Sequence, residues 1–179
     1  MPELLLALDA GTTTLRACLF TAGGDLLGRA SHPVATRSPA PGRVEQDAEA
    51  IWRDALEVMA AVLVGHAPAD VAAIGVTAQR ASAVLWDRRD GRALTPLVSW
   101  SDLRGAARTE ELRALGYPLS PQQSATKLEG ILRDQDLIDQ LLNQMVQSGR
   151  RSDEAFAQHC GALVENFTKG FLEKQEQLD

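Results

Sequence analysis

The stretch ELLLALDAGTTTLRACLFT, residues 3–21, decides the fold of this chain. Its apolar run from Leu4 to Leu8 ends at Asp9, a tight turn occupies residues 10–14, and a second apolar stretch begins at Leu15. A continuous apolar run is typical of a central strand that is buried on both faces. The pattern therefore predicts a strand-turn-strand unit whose first strand lies inside a sheet.

The turn AGTTT carries groups that suit a phosphate. Gly11 lets the backbone approach a ligand, and successive N–H groups in such a turn can form a nest that binds an anion. Hydroxyls at Thr12, Thr13 and Thr14 add hydrogen-bond donors, and Asp9 at the end of the strand can hold a hydrated Mg²⁺ ion. We interpret the segment as a site for nucleotide phosphates. The alternative is an ordinary hairpin turn with solvated threonines.

The composition limits the classes of function. With 179 residues, 45% of them hydrophobic, the chain can bury one good core with a small appendage. A net charge of −6 and a pI near 5.1 argue against nucleic acid or an anionic membrane as the partner. Cys18 and Cys160 are expected to be free thiols in a reducing compartment, and the histidines show no metal-ligand spacing. We expect a cytoplasmic protein.

The remaining patterns up to about residue 120 predict an α/β domain with the element order β-β-β-α-β-β-β-α. Asp47 is the expected N-cap of the first helix, which Gly65 ends, and Asp102 is expected to cap a second helix that runs to about Leu115. The Asp-Gly pair at residues 90–91 predicts a turn between two short strands. The later strands are expected at Leu26 to Ala35, Val71 to Thr77 (a buried pattern), Ala83 to Trp86 and Leu97 to Trp100.

Beyond Ser120 the sequence changes character, because glutamine becomes frequent and strand patterns end. Apolar residues recur at spacings of three and four over residues 128–146 and again over residues 156–171. This periodicity predicts two helices, so we divide the chain into an α/β domain over residues 1–120 and a helical hairpin extension over residues 121–179. Since two helices alone cannot bury both apolar stripes, the hairpin is expected to dock on the domain or to pair with another chain.

Five segments, in this order along the chain, resemble the N-terminal half of the FGGY carbohydrate kinases, in particular the glycerol kinases. They read DAGTTTLRACLF, PGRVEQDAEAIW, IGVTAQRASAVLWD, DGRALTPLVSWSDLR and SATKL. The resemblance covers about residues 4–128 and leaves residues 129–179 unmatched. It implies a ribonuclease-H-like fold of the actin-like ATPase type. It also implies transfer of the γ-phosphoryl group of ATP to a hydroxyl of a sugar or polyol.

The resemblance assigns a phosphate loop. The positions that match it are Asp9, Gly11, Thr12, Thr13 and Arg16. ATP and Mg²⁺ are the implied cofactors, and Asp9 is the implied metal ligand. This assignment agrees with the reading of the turn from its residues alone.

Two further residues match substrate contacts of the family. Arg80, in the segment QRAS, corresponds to an Arg that grips hydroxyls, and Trp100 corresponds to a Trp that packs on the carbon chain of the polyol. Without the resemblance, Trp100 is an aromatic at the end of a core strand and Arg80 is a solvated cation in a loop. Glycerol kinases have Glu and Tyr at the positions of Ala81 and Gln122, and both groups contact glycerol. Another polyol or a sugar is therefore the expected substrate.

The catalytic Asp and the adenosine-binding Gly motif of the family belong to its second half, so no catalytic residue is assigned in this chain. We therefore expect half of a kinase, which needs a second chain to supply the C-terminal lobe. The alternative is a non-catalytic scaffold that oligomerises through its helical tail. A third reading places a junction with unrelated sequence after about Leu128. The sequence leaves open which sugar or polyol is bound and which oligomer forms.

Overall fold

The computed structural model describes residues 3–87 and 90–134. These residues form two compact units, residues 3–103 with 122–124, and residues 104–121 with 125–134. The helices predicted for the tail beyond residue 134 lie outside the described residues. The strands are β1 (Leu4–Ala10), β2 (Thr14–Thr21), β3 (Leu26–Pro33), β4 (Glu45–Gln46), β5 (Val71–Ala78) and β6 (Leu97–Val98). The helices are α1 (Ala48–Val62), α2 (Ala106–Ala114) and α3 (Ser124–Arg133), with a short 3-10 turn at Pro68–Asp70.

The first unit is built on a four-stranded sheet with the order β3-β2-β1-β5. The pairs β1–β2 and β2–β3 are antiparallel, whereas β1 and β5 are parallel, so a crossover through α1 connects the meander to β5. The predicted opening hairpin and the central position of β1 are confirmed. The prediction missed β4, and Ala83 to Trp86 is not a continuous strand, because only isolated bridges join Ala83 to Val98 and Trp86 to Ala93.

Helix α1 starts where the sequence predicts. Oδ1 of Asp47 accepts the backbone N–H groups of Glu49 and Ala50 at 3.0 and 3.1 Å, which is the expected N-cap geometry. The helix packs on one face of β1, β2 and β3 and makes the core of the unit. The buried residues of this core are Leu6, Leu8, Leu15, Ala17, Leu19, Ala55, Val58 and Val62.

The opposite face of the sheet, and β5 beyond Val71, are uncovered in the described residues. Leu5 on β1 is 39% exposed, and on β5 the side chains of Ile74 and Val76 are 58% and 67% exposed. The predictions that β1 is buried on both faces and that the Val71 to Thr77 strand is buried are therefore wrong within residues 3–87 and 90–134. The physical reason is that α1 supplies a layer on one face only and does not extend over β5 beyond Val71.

A second, two-stranded sheet pairs β4 with β6 in antiparallel register. Beside it, Asp102 is fully buried and its Oδ2 accepts the backbone N–H of Val44 at 2.6 Å. The prediction that Asp102 caps the next helix is therefore wrong. Its carboxylate accepts this long-range hydrogen bond instead. Helix α2 starts instead after Gly105, which makes no side-chain cap.

The second unit brings α2 and α3 into close contact. A Cβ atom on Gly105 would lie 2.5 Å from Thr126 Oγ1, so only glycine allows this approach. Thr109 Oγ1 donates to the Gly105 carbonyl at 2.9 Å. Hydrogen bonds to Glu111 and to the buried Glu129 raise the pKa of Arg108, in spite of its partial burial. Among residues 3–87 and 90–134, no helix has the length and apolar character that crossing a bilayer requires.

Candidate functional site

The turn after β1 is closed by its own backbone. The N–H of Gly11 donates to the Thr14 carbonyl at 3.2 Å, and a Cβ atom on Gly11 would lie 2.9 Å from that oxygen. Glycine is thus required for the turn itself, and its N–H is not available to a ligand. In the described part of the chain, the backbone N–H groups of Thr12 and Thr13 have no acceptor. The anion nest predicted for this turn is therefore reduced to these two groups and the hydroxyls.

Asp9 and Arg16 lie side by side at the open face of the sheet. They are register partners on β1 and β2, and both line a concavity of about 320 Å³ whose wall is completed by β5 residues such as Thr77. Within residues 3–87 and 90–134 neither charge has an ion-pair partner. A carboxylate and a guanidinium are thus both available to a ligand in one open concavity.

Trp100 contacts the turn directly. Its indole Nε1–H donates to Thr12 Oγ1 at 2.9 Å, which joins residues 88 positions apart in the chain. The side chain is 38% exposed, more than is usual for a core aromatic. The structure therefore brings the predicted substrate aromatic against the predicted phosphate turn and leaves part of the indole accessible.

Arg80 lies on the short turn that follows β5. The parallel strands β1 and β5 end at the same edge of the sheet, at Ala10 and Ala78. There the N–H of Gln79 donates to the Ala10 carbonyl at 3.0 Å. Ligands of open α/β sheets bind beyond the carboxyl ends of parallel strands, and Arg80 follows at this place. Ala81 then adopts a φ of 57°, a left-handed conformation that is strained for alanine. Ser82 Oγ accepts the backbone N–H of Trp100 at 3.0 Å.

Two glutamines in the same region were not predicted as site residues. Gln46 is fully buried and donates to the Thr12 carbonyl at 2.7 Å, and Gln79 donates to Gln46 Oε1 at 2.7 Å. A glutamine in a short, weakly patterned segment gives no sequence signal for such a role. The one sequence signal near Gln46 is the next residue, Asp47, which caps α1. This cap fixes the backbone beside Gln46 but does not indicate what the glutamine side chain binds.

His32 lies in a cluster that resembles a metal site. A ring nitrogen of His32 and carboxylate oxygens of Asp54 and Glu57 lie within 4.8 Å of one another. However, Nδ1 of His32 is 3.0 Å from the Pro33 carbonyl and 3.3 Å from Asp54 Oδ2, and both of these atoms are acceptors. In the tautomer with the hydrogen on Nδ1, this atom donates to these acceptors and is not a metal ligand. The cluster fits a hydrogen-bonded pair better than a metal site.

A second concavity, of about 480 Å³, is lined by the exposed indoles of Trp52 and Trp86. Its wall is fixed by Glu49, whose Oε1 accepts the N–H of Ala93 at 2.6 Å. None of the predicted phosphate or substrate residues lines this cleft. The candidate site therefore remains at the turn after β1.

Comparison with known sequences gives a match over most of the chain. The sequence model of the "FGGY family of carbohydrate kinases, N-terminal domain" matches residues 4–135. A glycerol kinase of Herminiimonas arsenicoxydans is 42% identical over 132 residues, which cover 72% of this chain and 26% of that protein. A glycerol kinase of Nitrosomonas eutropha is 40% identical over 141 residues, with 72% and 28% covered.

Solved structures of kinases also superpose on most of this chain. The xylulose kinase of Rhodospirillum rubrum superposes with a TM-score of 0.67 at 30% identity, over 76% of this chain and 30% of that one. Plasmodium falciparum glycerol kinase, solved with ADP, superposes with a TM-score of 0.66 at 20% identity, over 79% and 31%. The second likeness concerns the fold alone. The chain spans between a quarter and a third of the length of these relatives.

Proposed function

Because this chain belongs to the FGGY family of carbohydrate kinases, we propose that it carries the N-terminal, phosphate- and substrate-contacting part of an ATP-dependent kinase. The enzyme phosphorylates a hydroxyl of a sugar or polyol. The predicted α/β fold of the ribonuclease-H-like, actin-like ATPase type is confirmed by the superposed sugar kinases. The chain matches less than a third of each relative, so the activity, the substrate and the partners are part of the proposal.

The observation that carries the proposal is the hydrogen bond from Trp100 to Thr12. Phosphoryl transfer depends on holding the transferred phosphate and the attacking hydroxyl in contact and in line. In this chain the residue proposed to bind the carbon skeleton touches the turn proposed to bind the phosphates. An ordinary solvated hairpin turn would have no reason to carry a partly exposed indole at this position.

The residues around the turn fit a magnesium nucleotide. Asp9 provides the carboxylate oxygen that Mg²⁺ prefers, and Arg16 in the same concavity provides a guanidinium for phosphate oxygens. The hydroxyls and N–H groups of Thr12 and Thr13 supply further donors, whereas Gly11 contributes by permitting the turn. ATP, when bound, supplies the phosphoryl group, and the chain's own residues hold its phosphate tail.

For the substrate, we propose that Arg80 binds hydroxyls and that the exposed face of the Trp100 indole packs on the carbon chain. Ala81 has no carboxylate to accept a glycerol hydroxyl, so a polyol or sugar other than glycerol is the proposed substrate. The cell compartment proposed for such an enzyme is the cytoplasm.

The uncovered strand β5 supports the proposal that a second lobe completes the enzyme. Its outer edge pairs with no strand among the described residues, and Ile74 and Val76 expose most of their apolar side chains. Exposed apolar edges of this kind are sites of pairing with further protein. We propose that the rest of the kinase fold packs on β5, either as further sequence of the same polypeptide or as a separate chain.

The test is a phosphorylation assay with ATP, Mg²⁺ and a panel of polyols and pentoses. It compares this chain alone with this chain mixed with the whole remaining part of a related xylulose or glycerol kinase, the part that this chain does not match. We expect product only in the mixture, and Asp9→Asn should lower its rate at least about tenfold, whereas Asp25→Asn, in the exposed turn between β2 and β3, should not. If the mixture makes no product, and neither Mg-ATP nor any polyol raises the melting temperature, the non-catalytic scaffold is the better reading.

A further inference from the structure

Five side-chain hydrogen bonds form a closed ring that joins the turn after β1 to Trp100. The Gln46 amide donates to the Thr12 carbonyl at 2.7 Å, and the Gln79 amide donates to Gln46 Oε1 at 2.7 Å. Ser82 Oγ donates to Gln79 Oε1 at 2.9 Å and accepts the backbone N–H of Trp100 at 3.0 Å. The indole N–H of Trp100 closes the ring on Thr12 Oγ1 at 2.9 Å.

The partners fix the orientation of both amides. The NH₂ group of the buried Gln46 faces two oxygen atoms, the Thr12 carbonyl and Thr36 Oγ1, the latter at 3.0 Å. Turning this amide over would place its oxygen against the Thr12 carbonyl, and two acceptors repel each other. Gln79 is fixed in turn, because its NH₂ group faces Gln46 Oε1 and its oxygen accepts the Ser82 hydroxyl. Donation therefore runs from Trp100 to Thr12 along both arms of the ring, through Ser82, Gln79 and Gln46 on one side and directly from the indole N–H on the other.

This direction determines what the Thr12 hydroxyl can do. Because Thr12 Oγ1 accepts the indole N–H, its own hydrogen points away from Trp100. No acceptor within residues 3–87 and 90–134 takes that hydrogen. A phosphate oxygen can only accept hydrogen bonds, so the ring presents Thr12 in the rotamer and hydroxyl orientation that such a ligand needs.

Resting on the proposed function, we infer that Gln46, Gln79 and Ser82 are positioning residues that couple the phosphate turn to the substrate side of the site. They touch neither ligand in the proposed arrangement. A ligand that moves Thr12 displaces Trp100 through the ring, and a substrate that moves Trp100 displaces Thr12. Such coupling is reciprocal, so each ligand changes the affinity for the other by the same factor.

The first experiment needs no ligand. It measures the rate at which the Trp100 indole N–H exchanges with water by ¹⁵N NMR, with Trp100→Phe to assign the signal. Gln46→Met and Ser82→Ala each break the ring at a distance from the indole nitrogen and should speed its exchange about fivefold, the factor that one net hydrogen bond carries. Ser38→Ala, at an exposed serine outside the ring, should not. Ser82→Thr, which keeps the hydroxyl, should restore the wild-type rate.

If Gln46→Met does not fold, Ser82→Ala carries this experiment, because Ser82 is only partly buried. An exchange rate in folded Ser82→Ala equal to that of the wild type would overturn the inference. It would show that Trp100 is held by its own bond to Thr12 and does not depend on the rest of the ring.

The second experiment uses magnesium triphosphate and xylitol as probes and follows the same indole signal. In the wild type, saturating xylitol should tighten triphosphate binding about fivefold or more, the lower end of usual coupling factors. In Ser82→Ala this factor should fall below about twofold, and full coupling in that variant would overturn the inference. If the wild type binds neither magnesium triphosphate nor xylitol or any other polyol of the panel, the proposed function fails, and the exchange rates still decide whether the ring positions Trp100.

Discussion

Replacing Val76 by alanine tests whether β5 is uncovered in solution. Val76 is 67% exposed, so only about a third of its side chain is in contact with protein. Complete burial of a valine stabilises a fold by about 1.5–3 kcal/mol, so this contact contributes roughly 0.5–1 kcal/mol. The lower strand propensity of alanine adds a few tenths. The expected loss in the free energy of unfolding is therefore about 1 kcal/mol.

Leu8 provides the matched control, because it is the register partner of Val76 on the neighbouring strand β1. Leu8 is 7% exposed and packs under α1. A leucine-to-alanine change at such a position removes the transfer free energy and leaves a cavity, with a cost of about 2–5 kcal/mol. The two substitutions differ in original side chain, so the comparison relies on the several-fold difference in expected cost.

Urea denaturation of the isolated chain measures both losses. The midpoint should fall slightly for Val76→Ala and strongly for Leu8→Ala, while the slope of the transition stays constant. A loss for Val76→Ala as large as that for Leu8→Ala would refute the reasoning. It would mean that β5 is already covered in the free chain, and the argument for a second lobe at this strand would lose its basis.

Three other substitutions test local features by the same denaturation assay. Ala81→Gly should leave stability unchanged or raise it by up to about 1 kcal/mol, since glycine adopts φ 57° without strain, whereas Ala60→Gly within α1 should cost about 1 kcal/mol. Glu129→Gln should cost about 1–2 kcal/mol, because two partly exposed arginines lose their carboxylate. Asp102→Asn should cost about 1.5–3 kcal/mol yet leave the helical circular dichroism of the folded protein unchanged, because Asp102 does not cap α2.

Local signals explain which parts of the fold were predictable. The hairpin of β1 and β2 follows from an apolar run, a glycine turn and a second run, all within residues 3–21. The start of α1 follows from Asp47 alone, whose carboxylate bonds to N–H groups two and three residues later. Asp102 looked the same in sequence, but its partner is Val44, 58 residues earlier. A cap and a long-range bond cannot be told apart from an isolated Asp.

The candidate site also contains a part that local sequence predicts and a part that depends on long-range contacts. The turn with Asp9, Gly11 and Thr12 is contiguous, so its residue types indicated a phosphate site directly. The ring through Gln46 and Gln79 depends on four segments meeting in space, and buried glutamines are too rare for composition to suggest them. The glycine was assigned to ligand approach, whereas the structure shows that it permits the turn to close on Thr14.

The sequence of β5 and its exposure lead to one conclusion about the site. The pattern VAAIGVT is typical of a strand covered on both faces, yet α1 leaves it uncovered. The same strand leads directly into Gln79 and Arg80, and in the described residues β1 alone pairs with it. Whatever covers β5 therefore also steadies the segment that carries Arg80, the arginine proposed to bind substrate, and Gln79 of the ring to Trp100. A second lobe would thus act on this half of the site by packing on β5 as well as by adding catalytic groups.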